Sequence, residues 1–288
     1  MLARLNILLQ YVLPHHAISR FTGWVTRIRW RPFKDAFTSI FIALYRPDLS
    51  DAAEPDPHAY EHFNAFFTRA LKPGARPLEG DASTLVSPVD GAMSQSGGID
   101  RNLILQAKGW NYTLEALLAG AADRWAPHFL HGSFATIYLA PWNYHRIHMP
   151  ADGRLREAWY VPGRLFSVSA LAAREVPDLF ARNERIVLLF DGAAGSFALI
   201  LVGALNVGSM ATVWHGDVTP RRPRVAMMLP PPPEEQRFLA RGEEVGRFNM
   251  GSTVILLFGP GAVELEDIAP GATMRLGQRL GRLSASRP

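Results

Sequence analysis

The sequence predicts an α+β protein in which N-terminal amphipathic helices precede a mostly antiparallel β core with a few short helices. Two observations support this fold class. Apolar side chains recur at helical spacing over residues 1–48, and from about Leu85 onward short apolar runs alternate with Gly, Pro and Asn. With 288 residues, 48% of them hydrophobic and 19% charged, the chain is long enough to bury a full-sized core.

Three amphipathic helices are predicted within residues 1–48, the first two of them basic. Their apolar positions lie three to four residues apart, and they are Leu5, Leu8, Leu9 and Val12, then Ile18, Phe21, Val25 and Ile28, then Phe33, Phe37, Ile40, Phe41 and Leu44. Up to Lys34 the chain carries five arginines and one lysine but no acidic residue. This region is therefore predicted to associate with a membrane, with its arginines among anionic headgroups.

Other interpretations of the N-terminal helices are weighed against this one. Ordinary amphipathic helices pack their apolar faces on the protein's own core, and the pattern alone leaves that alternative open. A transmembrane span and a signal peptide are both disfavoured because Asn6 and Gln10 interrupt the first apolar stretch. No recognisable nucleic-acid motif accompanies the basic residues, so nucleic acid is not expected as a partner.

Residues 49–84 are predicted as a linker and lead-in, and residues 85–288 as a catalytic β-rich domain. Strands are expected in FATIYLA, RIVLLF, FALILVGALNVGSM and TVILLF, and short helices in TLEALLAG and SALAAREVPDLFAR. The stretch TPRRPRVAMMLPPPPEEQ, residues 219–236, is too rich in proline for either element and is predicted as an exposed loop.

Three short stretches carry candidate chemistry. Asp90 lies in the turn SPVDG, His145 and His148 lie three residues apart in YHRIHMPADG, and Gly251-Ser252 precedes an apolar run. A serine, a histidine and an aspartate that meet in space can activate a hydroxyl, with the imidazole as base and the carboxylate orienting it. Each stretch also has a plain structural interpretation: an Asx turn, a packed histidine pair and a tight turn before a strand.

Metal and thiol chemistry are considered as well. The chain has no cysteine, which excludes thiolate nucleophiles and Cys-based zinc sites. His128 and His131 repeat the spacing of His145 and His148, so two pairs could offer four imidazoles. A His-Glu-x-x-His frame is absent, however, and a metal site is therefore not predicted.

Seven blocks of the sequence, in order, resemble the bacterial, membrane-associated phosphatidylserine decarboxylases. They are FNAFFTRALKPGARP, SPVDG, YHRIHMPADG, YVPGRLFSV, FARNERIVLLF, VGALNVGSM and GRFNMGSTVILLF. The family usually has Leu-Gly-Ser-Thr where this chain has Met250 before Gly251-Ser252. Leu and Met have similar volumes and the Gly-Ser bond is unchanged, so the motif is retained.

The resemblance implies a proenzyme that cuts itself between Gly251 and Ser252 into chains 1–251 and 252–288. Ser252 would become a pyruvoyl group, with His148 as base and Asp90 behind it. That cofactor would form a Schiff base with phosphatidylserine, releasing CO2 and phosphatidylethanolamine in phospholipid biosynthesis. His145 would orient the substrate carboxylate or deliver a proton.

The resemblance also implies partners and a location. Phosphatidylserine in an anionic membrane would be the substrate, the two chains of one precursor would stay together, and a homodimer is left open. The protein would be peripheral, at the cytoplasmic face of the cell membrane. Ser167 and Phe166, in the YVPGRLFSV block, could contact the lipid or lie at a buried strand edge. Two rival functions are a Ser-His-Asp lipid esterase without self-cleavage and a noncatalytic lipid-binding protein.

Overall fold

The computed structural model describes residues 9–107, 109–205, 209–219, 224–249 and 252–284. Within them, residues 9–12 are helical. The α-helices after this segment are α1 His15–Val25, α2 Arg31–Tyr45, α3 Phe63–Phe67, α4 Leu114–Leu118, α5 Ala122–Phe129, α6 Ala170–Glu175 and α7 Leu179–Arg182. The predicted helix positions Leu5 and Leu8, as well as Met250 and Gly251, lie outside the described residues.

The strands begin in chain order with β1 Thr84–Val86, β2 Gly91–Gly98, β3 Leu103–Ala107, β4 Trp110–Thr113, β5 Ser133–Leu139, β6 Arg146–His148, β7 Gly153–Val161, β8 Arg185–Gly192 and β9 Gly195–Val202. They continue with β10 Met210–Thr212, β11 Gly216–Asp217, β12 Met227–Met228, β13 Phe238–Leu239, β14 Glu244–Phe248, β15 Ser252–Phe258, β16 Val263–Leu265, β17 Thr273–Met274 and β18 Arg279–Leu283. Short helices interrupt this series, so the α+β prediction is confirmed.

One large antiparallel sheet organises the core. Its strand order is β12-β7-β8-β9-β15-β5-β2-β17, and β13 pairs with β7 beside this path. A four-stranded sheet, β11-β10-β14-β6, a three-stranded sheet, β1-β18-β16, and the β3-β4 pair complete the described strands. Strand β15 lies between β9 and β5 and is antiparallel to both. The described strand pairs named here are antiparallel, as the sequence predicts.

The central strands are continuous apolar runs because both of their faces are covered. All seven residues of β15 are buried, and so are the last six residues of β9. A strand that is exposed on one face would alternate apolar and polar residues instead. Helices α4 and α5 contribute Leu117, Leu118 and Phe129 to the same hydrophobic core. This packing encloses β15 on both faces.

The structure corrects the prediction for residues 219–236. The predicted exposed loop contains strand β12, whose Met227 and Met228 pair with Tyr160 and Trp159 of β7. The Leu229 N–H then donates to the Ala158 carbonyl at 2.7 Å. These pairings satisfy the otherwise open edge of β7, which is why a proline-rich segment still forms a strand there. Residues 220–223 lie outside the described part.

The N-terminal helices turn their polar and small residues toward the protein. In α1 the buried residues are His15, Ser19 and Gly23, whereas Phe21 and Trp24 are both 64% exposed. In α2 Ile40 is 66% and Leu44 is 70% exposed, as is Trp30 before it at 68%. Other stripe positions are half-buried, and Phe41 is buried against Phe63 and Phe67, so the apolar stripe lies partly on the protein and partly outward. Among the described residues, helices long and apolar enough to cross a membrane are absent.

Residues 49–84 join the N-terminal helices to the core. Helix α3 packs Phe63 and Phe67 against Phe41 of α2, and the Asn64 N–H donates to the Thr26 carbonyl at 2.9 Å. At the end of this segment Arg76 reaches the candidate residue Asp90. The predicted lead-in therefore positions part of the candidate site.

Candidate active site

Ser252 is the first residue of β15 and is fully buried. It lies opposite Leu139 of β5, while pairing with β9 begins only at Thr253, opposite Val202. Its Oγ has no hydrogen-bond partner among the residues that the structure describes. Leaving a buried hydroxyl unpaired costs about 1–3 kcal/mol, so such a group indicates a role that folding alone does not explain.

The chain changes sheets just before Ser252. Strand β14 belongs to the four-stranded sheet, where it pairs with β6 and β10. Its last residue, Phe248, donates its N–H to the His145 carbonyl at 3.0 Å. Strand β15 of the large sheet begins at Ser252, four residues after β14 ends. Because four residues span at most about 14 Å, the start of β15 lies near the histidine segment that Phe248 contacts.

His148 is the last residue of β6 and both of its ring nitrogens are engaged. The Gly242 carbonyl lies 2.7 Å from Nδ1, and because a carbonyl only accepts, Nδ1 carries the proton. The Tyr144 hydroxyl then donates to Nε2 at 3.0 Å. Burial lowers the pKa of His148, an effect that the nearby Glu244 and Asp90 carboxylates partly oppose. The imidazole is therefore neutral near pH 7 and has its basic atom on the Tyr144 side.

Asp90 is held by an arginine. The Arg76 guanidinium donates to both carboxylate oxygens, with Nη2 to Oδ2 at 2.7 Å and Nε to Oδ1 at 3.0 Å. The Leu276 N–H also donates to Oδ1 at 2.8 Å. Arg76 is shared with Asp51, and these hydrogen bonds raise the pKa of the guanidinium, Asp90 contributing most. Asp90 is thus a fixed, ion-paired carboxylate.

Among the described residues Asp90, His148 and Ser252 share no hydrogen bonds with one another, and only the Asp90 turn contacts His148. The backbone N–H of His148 donates to the Pro88 carbonyl, two residues before Asp90, at 2.9 Å. In this structure the Gly242 carbonyl orients the imidazole, and Asp90 acts on it through space. For His148 to reach the Ser252 hydroxyl, Nε2 has to exchange its bond from Tyr144.

His145 is fully buried and lies against an aromatic ring. Its ring centroid is 4.1 Å from that of Phe67 on α3. The Asn143 carbonyl accepts from Nδ1 at 2.8 Å, so Nε2 is the unprotonated atom, and among the described residues it has no partner. Burial lowers the pKa of His145 to about 3. The side chain therefore presents an unpaired basic nitrogen in a dry setting.

A cavity of about 400 Å3 lies between the N-terminal helices and the sheet. Its wall includes Leu139, the partner of Ser252 on β5, together with Phe67, which contacts His145. Ser167 lines this apolar cavity, as the sequence-based assignment requires of a substrate contact. Phe166 is fully buried beside Tyr11 and does not line it, so its contact with a lipid stays a prediction.

Sequence reasoning did not name several residues that define the site. Tyr144 and Arg76 both stand inside quoted blocks, but only the fold shows that they bind His148 and Asp90. The Gly242 carbonyl, which fixes the tautomer of His148, has no side-chain signal at all. Phe67 was visible only as one apolar residue in an aromatic run.

Comparison of the sequence with known proteins identifies its family. The model described as phosphatidylserine decarboxylase matches residues 63–282, and a model described as PSD matches residues 5–46. A phosphatidylserine decarboxylase proenzyme of Pseudomonas putida is 50% identical over 282 residues, which is 97% of this chain and 98% of the relative. One of Methylibium petroleiphilum is 52% identical over 278 residues, 96% of this chain and 97% of the relative. The chain belongs to the phosphatidylserine decarboxylase family.

Proposed function

We propose that this chain decarboxylates phosphatidylserine by means of a pyruvoyl group that it makes from its own Ser252. One observation supports this assignment most directly: in a member of this family, a fully buried serine begins the central strand β15, and its hydroxyl has no partner among the described residues. The chain is a decarboxylase, and so a lyase. Its products would be CO2 and phosphatidylethanolamine.

Self-cleavage would begin with Ser252. Its Oγ attacks the Gly251 carbonyl carbon while Nε2 of His148 takes the hydroxyl proton, and the C–N bond breaks to leave an ester. Loss of the Ser252 Cα proton then breaks the Cβ–O bond, which frees residue 251 as a carboxylate and leaves dehydroalanine. Water converts dehydroalanine to the pyruvoyl group and ammonia. Asp90 would stabilise the imidazolium that forms at His148, since it already acts on that ring through space.

The residues around position 252 fit such a group. The serine atom from which it derives is buried and unpaired, and the neighbouring Thr253 Oγ1 is also without a partner among the described residues. The group would supply a ketone that takes up the substrate amine and the electron pair released by decarboxylation. Because β15 is enclosed by β5 and β9, the surrounding strands would keep water away from this chemistry.

His145 would handle the proton of the second reaction. Alone it is neutral, because burial lowers its pKa to about 3. A substrate carboxylate that entered next to Nε2 would raise this pKa and favour an imidazolium–carboxylate pair. When CO2 leaves, the same Nε2 proton is available for the substrate Cα. Ser167 would contact the substrate from the wall of the apolar cavity, and Phe166 would support Ser167 from the core.

The N-terminal helices would hold the protein on the cytoplasmic face of the membrane. Their outward residues form what we call the exposed apolar surface, which consists of Phe21, Trp24, Trp30, Ile40, Leu44 and the nearby Trp142. Arg20, Arg29 and Arg31 are exposed on the same segment. Aromatic and aliphatic groups flanked by arginines suit an interface with anionic lipid. The apolar cavity opens between these helices and the sheet, where acyl chains would enter.

The Ser252→Ala variant should fold and remain a single chain of 31.9 kDa without decarboxylase activity. Wild-type protein should give two chains, with a ketone at the start of the smaller one. Denaturing gels and intact mass measure both. Ser196→Ala is the control and should cleave normally, because it removes a β9 hydroxyl that donates to Asp191 of β8. A single active wild-type chain would favour the esterase or lipid-binding alternatives.

Asp90→Asn and His148→Ala should each block or greatly slow self-cleavage, because the loss of any one member of a coupled catalytic unit removes most of its rate. Tyr144→Phe frees Nε2 of His148 and should cleave at least as fast as wild type. The time course of precursor loss on gels provides the comparison. Normal cleavage in both Asp90→Asn and His148→Ala would show that these two side chains are not the base system.

His145→Ala should still yield two chains and a pyruvoyl group, whereas turnover of phosphatidylserine should fall by about 10² to 10⁴, the usual contribution of acid–base assistance. Gels, carbonyl labelling of the small chain and a CO2-release assay separate the two reactions. His128→Ala, near the end of α5, is the control. An uncleaved His145→Ala chain would instead place the free Nε2 in self-cleavage.

Replacing Phe21 and Trp24 together by serine should weaken binding to phosphatidylglycerol-containing vesicles, because the double variant lacks two rings of the exposed apolar surface, each 64% exposed. Flotation of the purified variant beside wild type measures the bound fraction. Phe238→Ser removes a ring that is 50% exposed on β13 and should bind like wild type. Equal flotation of all three proteins would contradict the membrane assignment of α1.

A further inference from the structure

A second cavity, of about 500 Å3, lies on the other side of helix α3 from the apolar cavity. Phe63 and Phe67 face the apolar cavity, whereas Asn64 lines this one. Its distinguishing feature is four arginines, and we call it the arginine-rich cavity: Arg27, Arg69, Arg146 and Arg247, with Asn249 at its wall. Asn249 lies three residues before Ser252, so the cavity is close to Ser252 along the chain.

The charges of the arginine-rich cavity do not balance. Arg27 pairs with Asp217 at 3.2 Å and Arg146 pairs with Glu244 at 2.8 Å. Glu54 is the one further carboxylate in the lining that the structure describes. Arg69 and Arg247 have no carboxylate within ion-pair distance among the described residues. The described lining thus has four guanidinium groups and two carboxylates, Asp217 and Glu54; with Glu244, which pairs with Arg146 from outside the lining, one positive charge is left over.

Arg69 makes this excess costly. It is only 4% exposed, its Nε has no partner among the described residues, and its one described hydrogen bond is from Nη2 to the Asp48 carbonyl at 3.4 Å. Burial lowers its pKa. A buried guanidinium normally has its donors satisfied and its charge matched. The cavity is therefore short of one anion, and a carboxylate would fit the planar fork of an arginine.

The segment beside the cavity would itself produce such an anion. The side chain of Asn249 is fixed from three directions: its Oδ1 accepts from Asn64 at 3.1 Å, while its Nδ2 donates to Asp217 at 3.1 Å and to the Ser209 hydroxyl. Residue 251 follows two positions later, within about 7 Å along the chain. Cleavage between residues 251 and 252 changes a neutral amide carbonyl into a carboxylate at this place.

We propose that the arginine-rich cavity binds the C-terminal carboxylate that self-cleavage creates at Gly251. This inference rests on the proposed self-cleavage. One carboxylate neutralises the one excess charge, with Arg247 and Arg69 as its ligands. No further bond is made or broken in this step, since the carboxylate leaves Ser252 during the elimination.

Resistance of the new C-terminus to carboxypeptidase tests the proposal. Purified, cleaved wild-type protein is treated with a broad-specificity carboxypeptidase, and loss of Gly251 and Met250 from the large chain is followed by intact mass. The same protein unfolded in urea gives the unprotected rate. Charge-assisted hydrogen bonds are strong enough that Arg247→Gln and Arg69→Gln should each speed trimming of the folded protein about tenfold or more.

The control is Arg156→Gln, because Arg156 is exposed and pairs with Asp191 on the β7–β8 pair. It should trim at the wild-type rate. If Arg69→Gln does not fold, Arg247→Gln decides alone. Cleaved wild type that trims as fast as the unfolded protein, or as fast as Arg247→Gln, overturns the inference while self-cleavage stands. A wild-type chain that is never cut shows instead that the proposed function fails.

Discussion

The register of β15 between β5 and β9 determines where the reactive serine lies. Ser252 pairs with Leu139 on one side, but on the other side pairing starts only one residue later. Ser252 is thus paired by the sheet on one side only, at the point where two-sided pairing of β15 begins. A side chain fixed at the end of a ladder is already positioned, which is what reaction with a neighbouring group requires.

Burial then determines the protonation state of both histidines. Each donates Nδ1–H to a backbone carbonyl, Asn143 for His145 and Gly242 for His148, and burial lowers both pKa values. The same constraint therefore produces two neutral rings with basic Nε2 atoms. They differ at Nε2, since Tyr144 donates to that of His148, whereas that of His145 has no partner in the described part of the chain. This difference is a physical basis for separate roles in two successive reactions.

Much of this arrangement could be predicted from the sequence. The apolar runs gave β5, β8 and β15, because strands buried on both faces leave a signal that does not depend on their partners. The motif blocks gave Asp90, His148 and Ser252 as candidates. What could not be predicted depends on register. Gly242 meets His148 from 94 residues away, through a β6–β14 pairing that contains an irregularity, and no local pattern encodes it.

The N-terminal helices show a second limit of sequence patterns. Periodicity identifies an apolar stripe but not the surface that it faces. In α1 the fully buried residues are His15, Ser19 and Gly23, since the His15 ring accepts from the Leu165 N–H, while Phe21 and Trp24 lie outward. Only the packed core reveals this inversion. The outward aromatic residues of α1 are the reason for the membrane association that we propose.

Helix α3 joins these features because it separates two environments with opposite requirements. Phe63 and Phe67 line the apolar cavity that reaches Leu139, and Asn64 lines the arginine-rich cavity and donates to Asn249. A lipid substrate has hydrocarbon that needs the first environment, whereas the cut chain has a carboxylate that needs the second. Placing the two on opposite faces of one short helix keeps charge out of the apolar cavity. The product of self-cleavage and the substrate of decarboxylation can then occupy the same neighbourhood without competing for one site.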